Sequence, residues 1–383
     1  REAHGVFSSR RETMRTRMAR GALALAAAGV ALAAAGGAGA YQTSTPVAEQ
    51  LARVEAWKEI DRLRRQTPPD FAAIKRIYEE RLRSTVQRRD QEFEVEMDRA
   101  ISAAIEGGLK GQEPRIAGQI VDKTLRRAFN LNVRHELREA TSPARFADKS
   151  LKGAIHNWDE GWAYFQGLRD WVRQRAGEET EARIVKAFEA GAEAIRKDDL
   201  VELKVQSQII DKSLVRAFHR YVIYEAEEVA KNREKDPARA REQQVEGYVS
   251  FLAIEDKMGG NPEGAKLIKA QLSGELSGVN PEAIRRELVK GLAAKVREYL
   301  GKTVAAVGTP DARVHAWEGA MFLSAFEEEA ARALGEGRKK GLFDAAGALI
   351  RAAAAGDRGA AEGAARQVAA GLDELLRAIG AGA

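Results

Sequence analysis

The stretch His156-Asn157-Trp158-Asp159-Glu160-Gly161-Trp162 puts one imidazole, two carboxylates and two indoles within seven residues, in a chain with only five histidines and five tryptophans. On a helix, His156, Asp159 and Glu160 stand at i, i+3 and i+4 and so share one face. Upstream, His135, Glu136 and Glu139 offer a second imidazole with two carboxylates. Imidazole nitrogen combined with carboxylate oxygen suits iron, zinc or manganese, and the absence of cysteine removes soft thiolate sites. If the two sets face each other from neighbouring antiparallel helices, they make an inward-facing ligand array of the kind that metal-binding bundles use.

The same residues also have plainer readings. Acids near a helix start are favoured by its dipole, and Asn157 followed by Glu160 reads as a capping box. Trp158, Trp162, Tyr164 and Phe165 read as core, because aromatics dominate buried area. His135-Glu136-Leu137-Arg138-Glu139 reads as a solvated, ion-paired face. No G-x-S-x-G, H-E-x-x-H or glycine-rich phosphate loop occurs, so the expectation is a binder and not an enzyme.

The elements that position these residues repeat. Residues 119–129, QIVDKTLRRAF, and residues 208–218, QIIDKSLVRAF, are identical at eight of eleven positions. Downstream, Glu160-Gly161-Trp162 aligns with Glu246-Gly247-Tyr248, and a weaker third copy shows Glu318-Gly319-Ala320 after a second His-x-Trp at His315. An internal duplication of this kind marks stacked repeats. In the second copy Tyr224 replaces His135, so Tyr224, Glu225 and Glu228 are secondary, oxygen-only metal candidates. Ile120, Val121, Thr124, Leu125, Ala128, Phe129 and Val133 form one apolar stripe of helical period. Ser142-Pro143, Asp236-Pro237, Asn261-Pro262, Asn280-Pro281 and Thr309-Pro310 each place an N-cap residue before a proline at N1.

The spacing predicts helices over 46–65, 70–106, 114–140, 152–175, 179–197, 199–233, 237–257, 262–275, 281–301, 310–335, 339–355 and 358–379, and essentially no sheet. The fold class expected is all-α, with tandem repeats of helices stacked as antiparallel bundles. The organisation expected is a leader over 1–40, a helical region over 41–112, and repeats over 113–198, 199–279 and 280–383, the last ending in Ala/Gly-rich helices.

Within the leader, a start at Met14 or Met18 leaves residues 1–13 as upstream readthrough. Arg15, Arg17 and Arg20 then precede an apolar Ala-rich stretch and Ala38-Gly39-Ala40, the pattern of a cleaved secretory signal. With the six arginines and two glutamates of residues 1–40 set aside, 56 basic and 55 acidic residues remain. That near-neutral balance excludes a nucleic-acid binder as the expectation. The mature chain is expected to be periplasmic or secreted, without a transmembrane segment.

The segments RRAFNLNVRHELREA, RAFHRYVIYEAEEVA and HNWDEGWAYF together resemble the low-iron-inducible periplasmic, iron-assimilation proteins of algae. The resemblance covers about residues 115–260, with the repeat extending it to about 335. It implies a secreted helical protein that captures iron outside the plasma membrane. The positions matching its motifs are His135, Glu136, Glu139, His156, Asp159 and Glu160. The expectation is therefore an exported metal binder, most simply an iron binder, with its site between the 114–140 and 152–175 helices. The competing expectations are a non-catalytic envelope scaffold or accessory subunit with a protein partner, a small-molecule binder whose tryptophans line a cleft, and an oxidising di-metal enzyme.

Overall fold

Alanine, leucine, glutamate and arginine lose little rotamer freedom in a helix, and together they make up nearly half of this chain. In the computed structural model, which describes residues 41–380, those residues are helical almost throughout, and no strand occurs among them. The signal peptide expected over 1–40 lies outside the described residues.

The helices are α1 Ala48–Arg64, α2 Phe71–Ile77, α3 Arg83–Phe93, α4 Met97–Leu109, α5 Pro114–Ala140, α6 Pro143–Ala147, α7 Ala154–Ala176 and α8 Glu178–Arg196. They continue as α9 Leu200–Asn232, α10 Pro237–Leu252, α11 Pro262–Ser273, α12 Pro281–Ala306, α13 Pro310–Ala325, α14 Glu327–Leu334, α15 Glu336–Ala355 and α16 Arg358–Ala378. A wide π-turn at Tyr78–Leu82 joins α2 to α3.

The caps work as the dipeptides suggest, with one exception. The side chains of Ser142, Asp236, Asn261 and Asn280 each accept a backbone N–H of the following first turn. Thr309 occupies the N-cap position, but its hydroxyl donates backward to the Ala306 carbonyl at 2.8 Å. The predicted 70–106 helix breaks at Glu94, which adopts φ 52°. Asp90 drives the break: its carboxylate accepts Met97 N–H and Asp98 N–H at 2.9 and 2.8 Å, capping α4 and competing with continued helix. The predicted 310–335 helix divides at Phe326, whose fully buried ring belongs to the core.

Each repeat has a long helix (α5, α9, α12) packed against a Glu-Gly helix (α7, α10, α13). The copies interlock, because α10 also packs on α5 and α13 also packs on α9. One continuous core runs from Tyr41 to Leu375. The glycine of each Glu-Gly pair explains the close approach of the two helices. A Cβ on Gly161 would lie 3.4 Å from Glu136 Cβ, one on Gly247 would lie 3.3 Å from Glu225 Cβ, and one on Gly319 would lie 3.2 Å from Tyr299 Cβ. The Ala/Gly-rich end is packed as well: α15 and α16 pair through buried Leu342, Phe343, Leu349, Val368, Leu372 and Leu375. No described helix is long and apolar enough to cross a membrane.

Candidate functional site

The helices α5 and α7 do bring His135, Glu136, His156 and Glu160 into one neighbourhood, but each side chain already has protein partners. His135 Nδ1 meets Glu92 of α3 at 3.0 Å, and its Nε2 lies 4.0 Å from Glu136. His156 Nε2 lies 3.3 Å from Glu160, which also accepts from the Gln50 amide. Asn157 is no cap: α7 begins at Ala154, and the buried Asn157 amide donates to Glu136 at 2.8 Å.

Asp159 is fully buried and serves as an anchor. It accepts Tyr41 OH at 2.6 Å, Ser44 N–H and Thr45 N–H both at 2.8 Å, and the Thr45 hydroxyl at 2.9 Å. Those four bonds hold the chain ahead of α1 and leave the carboxylate no room for a ligand. Glu139 stands apart, partly exposed and 3.9 Å from Arg145. In the second copy, Tyr224 faces Arg175, Glu225 is buried, and Glu228 binds Lys231 at 2.8 Å, so these three do not converge. Among the described residues, no three His, Cys, Asp or Glu side chains group so as to hold a metal ion. Trp158 is core, its indole donating to the Phe188 carbonyl at 2.8 Å.

What the duplicated helices do place together is a carboxyl pair in each of the first two copies. Burial, and then the charge of Glu160, push the Glu136 carboxyl well above the ordinary range, so it keeps its proton and donates to Glu160. Glu225 is raised for the same reasons, burial first and then the charge of Glu246. Glu246 stays ionised. Burial opposes this, but Lys123, the Tyr221 hydroxyl and Arg239 together hold its carboxyl below the ordinary range.

A large cleft lies where the first copy meets the second. Its volume is about 840 Å³, within the range of small-molecule sites. Cations come to it from every wall: Arg64 and Arg65 from the end of α1, Arg115, Lys123 and Arg126 from α5, Arg175 from α7 and Arg239 from α10. Only two carboxylates, Glu242 and Glu246, line it. Asp122 lies beneath the floor and is shared by Lys123 at 2.7 Å, Arg64 at 2.9 Å and Arg126 at 3.5 Å. Trp57 also donates to Asp122, at 2.9 Å. Glu242 is taken by Arg115 at 2.6 Å and Arg239 at 3.0 Å. Arg175 has no carboxylate within ion-pair distance among the described residues.

The surplus of positive charge is visible in Lys123. Burial, reinforced by Arg126 and Arg64, depresses its pKa in spite of Asp122 and Glu246. An added anion would relieve that repulsion. The guanidiniums are also held against rings. Arg126 lies 5.1 Å from the Trp171 ring and 5.7 Å from that of Tyr221, and Arg175 lies 4.7 Å from Tyr221 and 4.2 Å from Tyr224. Such stacking fixes a cation's position without neutralising it.

Sequence reasoning missed this cleft. Residues 41–383 are nearly neutral overall, and a local surplus is invisible in a total. The available signal was the pair of arginines two residues beyond the duplicated Asp-Lys: the first copy reads Arg126-Arg127 where the second reads Val215-Arg216. Compared with family models, with curated protein sequences and with solved structures, the chain has no match.

Proposed function

We propose that this protein is a non-catalytic binder of a small oxyanion, bearing phosphate, sulfate or carboxylate, held in the cleft between the first and second repeats. The observation that carries this reading is the charge of the cleft wall: seven cations against two carboxylates, both already shared with protein cations. A guanidinium is itself a planar fork of N–H donors and suits oxyanions through paired, charge-assisted hydrogen bonds. The test is calorimetric titration of the protein with sulfate, inorganic phosphate and citrate at low ionic strength, beside Arg126→Gln. Saturable binding that weakens at least about tenfold in the variant supports the reading. Absence of binding by all three anions refutes it.

Metal capture in the cell envelope is the second reading, favoured by the continuous contact chain His135–Glu136–Glu160–His156. Iron, zinc or manganese would have to displace the proton of Glu136 and draw the imidazoles inward, so binding would strengthen as pH rises. Metal titration of the parent and His156→Ala decides it. Binding lost in that variant but kept in Arg126→Gln supports the metal site, and no binding by the parent removes it. The leader's signal-like pattern supports an envelope location for either binder.

A further inference from the structure

The basic cleft does not end at Arg175. Gln174 and Arg175 also line a second depression of about 300 Å³, which faces α9, α12 and α14. The two spaces differ in charge. In the second, Arg220 pairs with Glu328 at 3.0 Å, Arg285 pairs with Glu227, and Arg332 lies 3.8 Å from Glu282. The depression is thus neutralised from within, and Tyr224 and Ile223 belong to its wall.

Tyr224 is one of the few large apolar side chains left open, 40% exposed. Its ring lies nearly parallel to Tyr221, at 13° and 6.4 Å between centroids. Trp171, Arg126, Tyr221, Arg175 and Tyr224 therefore form a ladder in which arginines alternate with aromatic rings. It leads from the basic cleft to the neutral depression and ends on an uncovered phenol. A ladder of this kind continues naturally onto one more flat group, since ring faces and guanidinium planes stack on each other.

We propose that the bound oxyanion carries an aromatic or other flat group, its charged end in the basic cleft and its ring on Tyr224 in the adjoining depression. This inference rests on the anion-binding reading above and names the ligand class of that same site. Tyr224 acts here as a specificity residue that makes no direct contact with the anion, although its ring also supports Arg175.

The test compares methyl phosphate with phenyl phosphate, by calorimetry on the full chain and on Tyr224→Ala and Tyr224→Phe. The expected result is that phenyl phosphate binds the parent roughly fivefold to tenfold more tightly than methyl phosphate. Tyr224→Ala should erase that ratio, lowering phenyl phosphate affinity by more than any loss for methyl phosphate, and Tyr224→Phe, which keeps the ring under Arg175, should keep it. Equal affinity for the two esters in the parent, or a ratio that survives in Tyr224→Ala, overturns the inference and leaves the anion site standing. Failure of both esters to bind overturns the anion site and this inference with it.

Discussion

The two junctions between repeats are built from the same words and do different things. At the first, Lys123 of Asp122-Lys123 meets Glu246 of the next copy at 3.3 Å. At the second, Lys212 of Asp211-Lys212 meets Glu318 at 2.8 Å. Both lysines are buried, yet their titration shifts in opposite directions. Burial lowers both, but Asp211 and Glu318 overcome it at Lys212, while Arg126 and Arg64 add to it at Lys123. One junction is balanced and closed over Phe322, and the other is overcharged and open. A copied ion pair therefore fixes how repeats stack, and the residue one turn further on decides whether the joint is filled or can take a ligand.

That contrast is best broken at the lysines. Lys212→Met strands Asp211 and Glu318 without their main cation and should cost about 3–5 kcal/mol of folding stability in urea titrations. Lys123→Met should cost clearly less, about 1–2 kcal/mol, because Arg64 and Arg126 still neutralise Asp122. Equal losses would mean that the two junctions are not electrostatically distinct.

The carboxyl pairs sharpen the comparison through pH. Glu136 and Glu225 are each pushed up to about 8, by burial and then by the neighbouring glutamate. In the unfolded chain they titrate near the ordinary value of about 4.3. Between those limits the folded chain keeps protons that the unfolded chain has lost, so stability should fall as pH rises from about 4.3 towards 8. Glu136→Gln and Glu225→Gln should each raise stability by the order of 2 kcal/mol at pH 8.5 and by little at pH 4. The third copy already has a residue without a carboxyl, Tyr299, where its Glu-Gly helix packs as Gly247 packs on Glu225. A flat stability profile from pH 5 to 8.5 would show that the pairs are solvated.

Transferring the second junction's residue into the first tests the cleft itself. Arg126→Val, matching Val215, should leave stability within about 1 kcal/mol and abolish measurable sulfate binding. Retained binding would move the anion away from α5. The smallest effect is expected at Glu139, which is partly exposed and only loosely paired. Glu139→Gln should change stability by less than about 0.5 kcal/mol and leave any metal binding intact. Loss of metal affinity there would restore its role as a ligand.

The helical spacing behind the metal array did not foretell the partners that particular residues take. The i, i+3, i+4 spacing of His156, Asp159 and Glu160 is real, but Asp159 turns to the chain ahead of α1 and Glu160 to Gln50. Those partners lie more than a hundred residues away, and helical spacing carries no information about them. The glycine of the Glu-Gly pair was legible as a repeated signature. That it seats one carboxyl against another could not be read without the helix crossing.

The sequence alone determined the helices, because side-chain rotamer freedom and Asx-Pro capping are local. It also determined the stacked repeat, because a duplicated apolar stripe must be buried against its own copy. Where charge accumulates was decided only by the tertiary structure. Arg64, Arg126, Arg175 and Arg239 belong to four different helices, and in α1, α7 and α10 the basic residues are matched by acids along the same helix. Coulomb interactions depend on distance in space, and packing alone brought those four cations around one cleft while sending the matching carboxylates elsewhere.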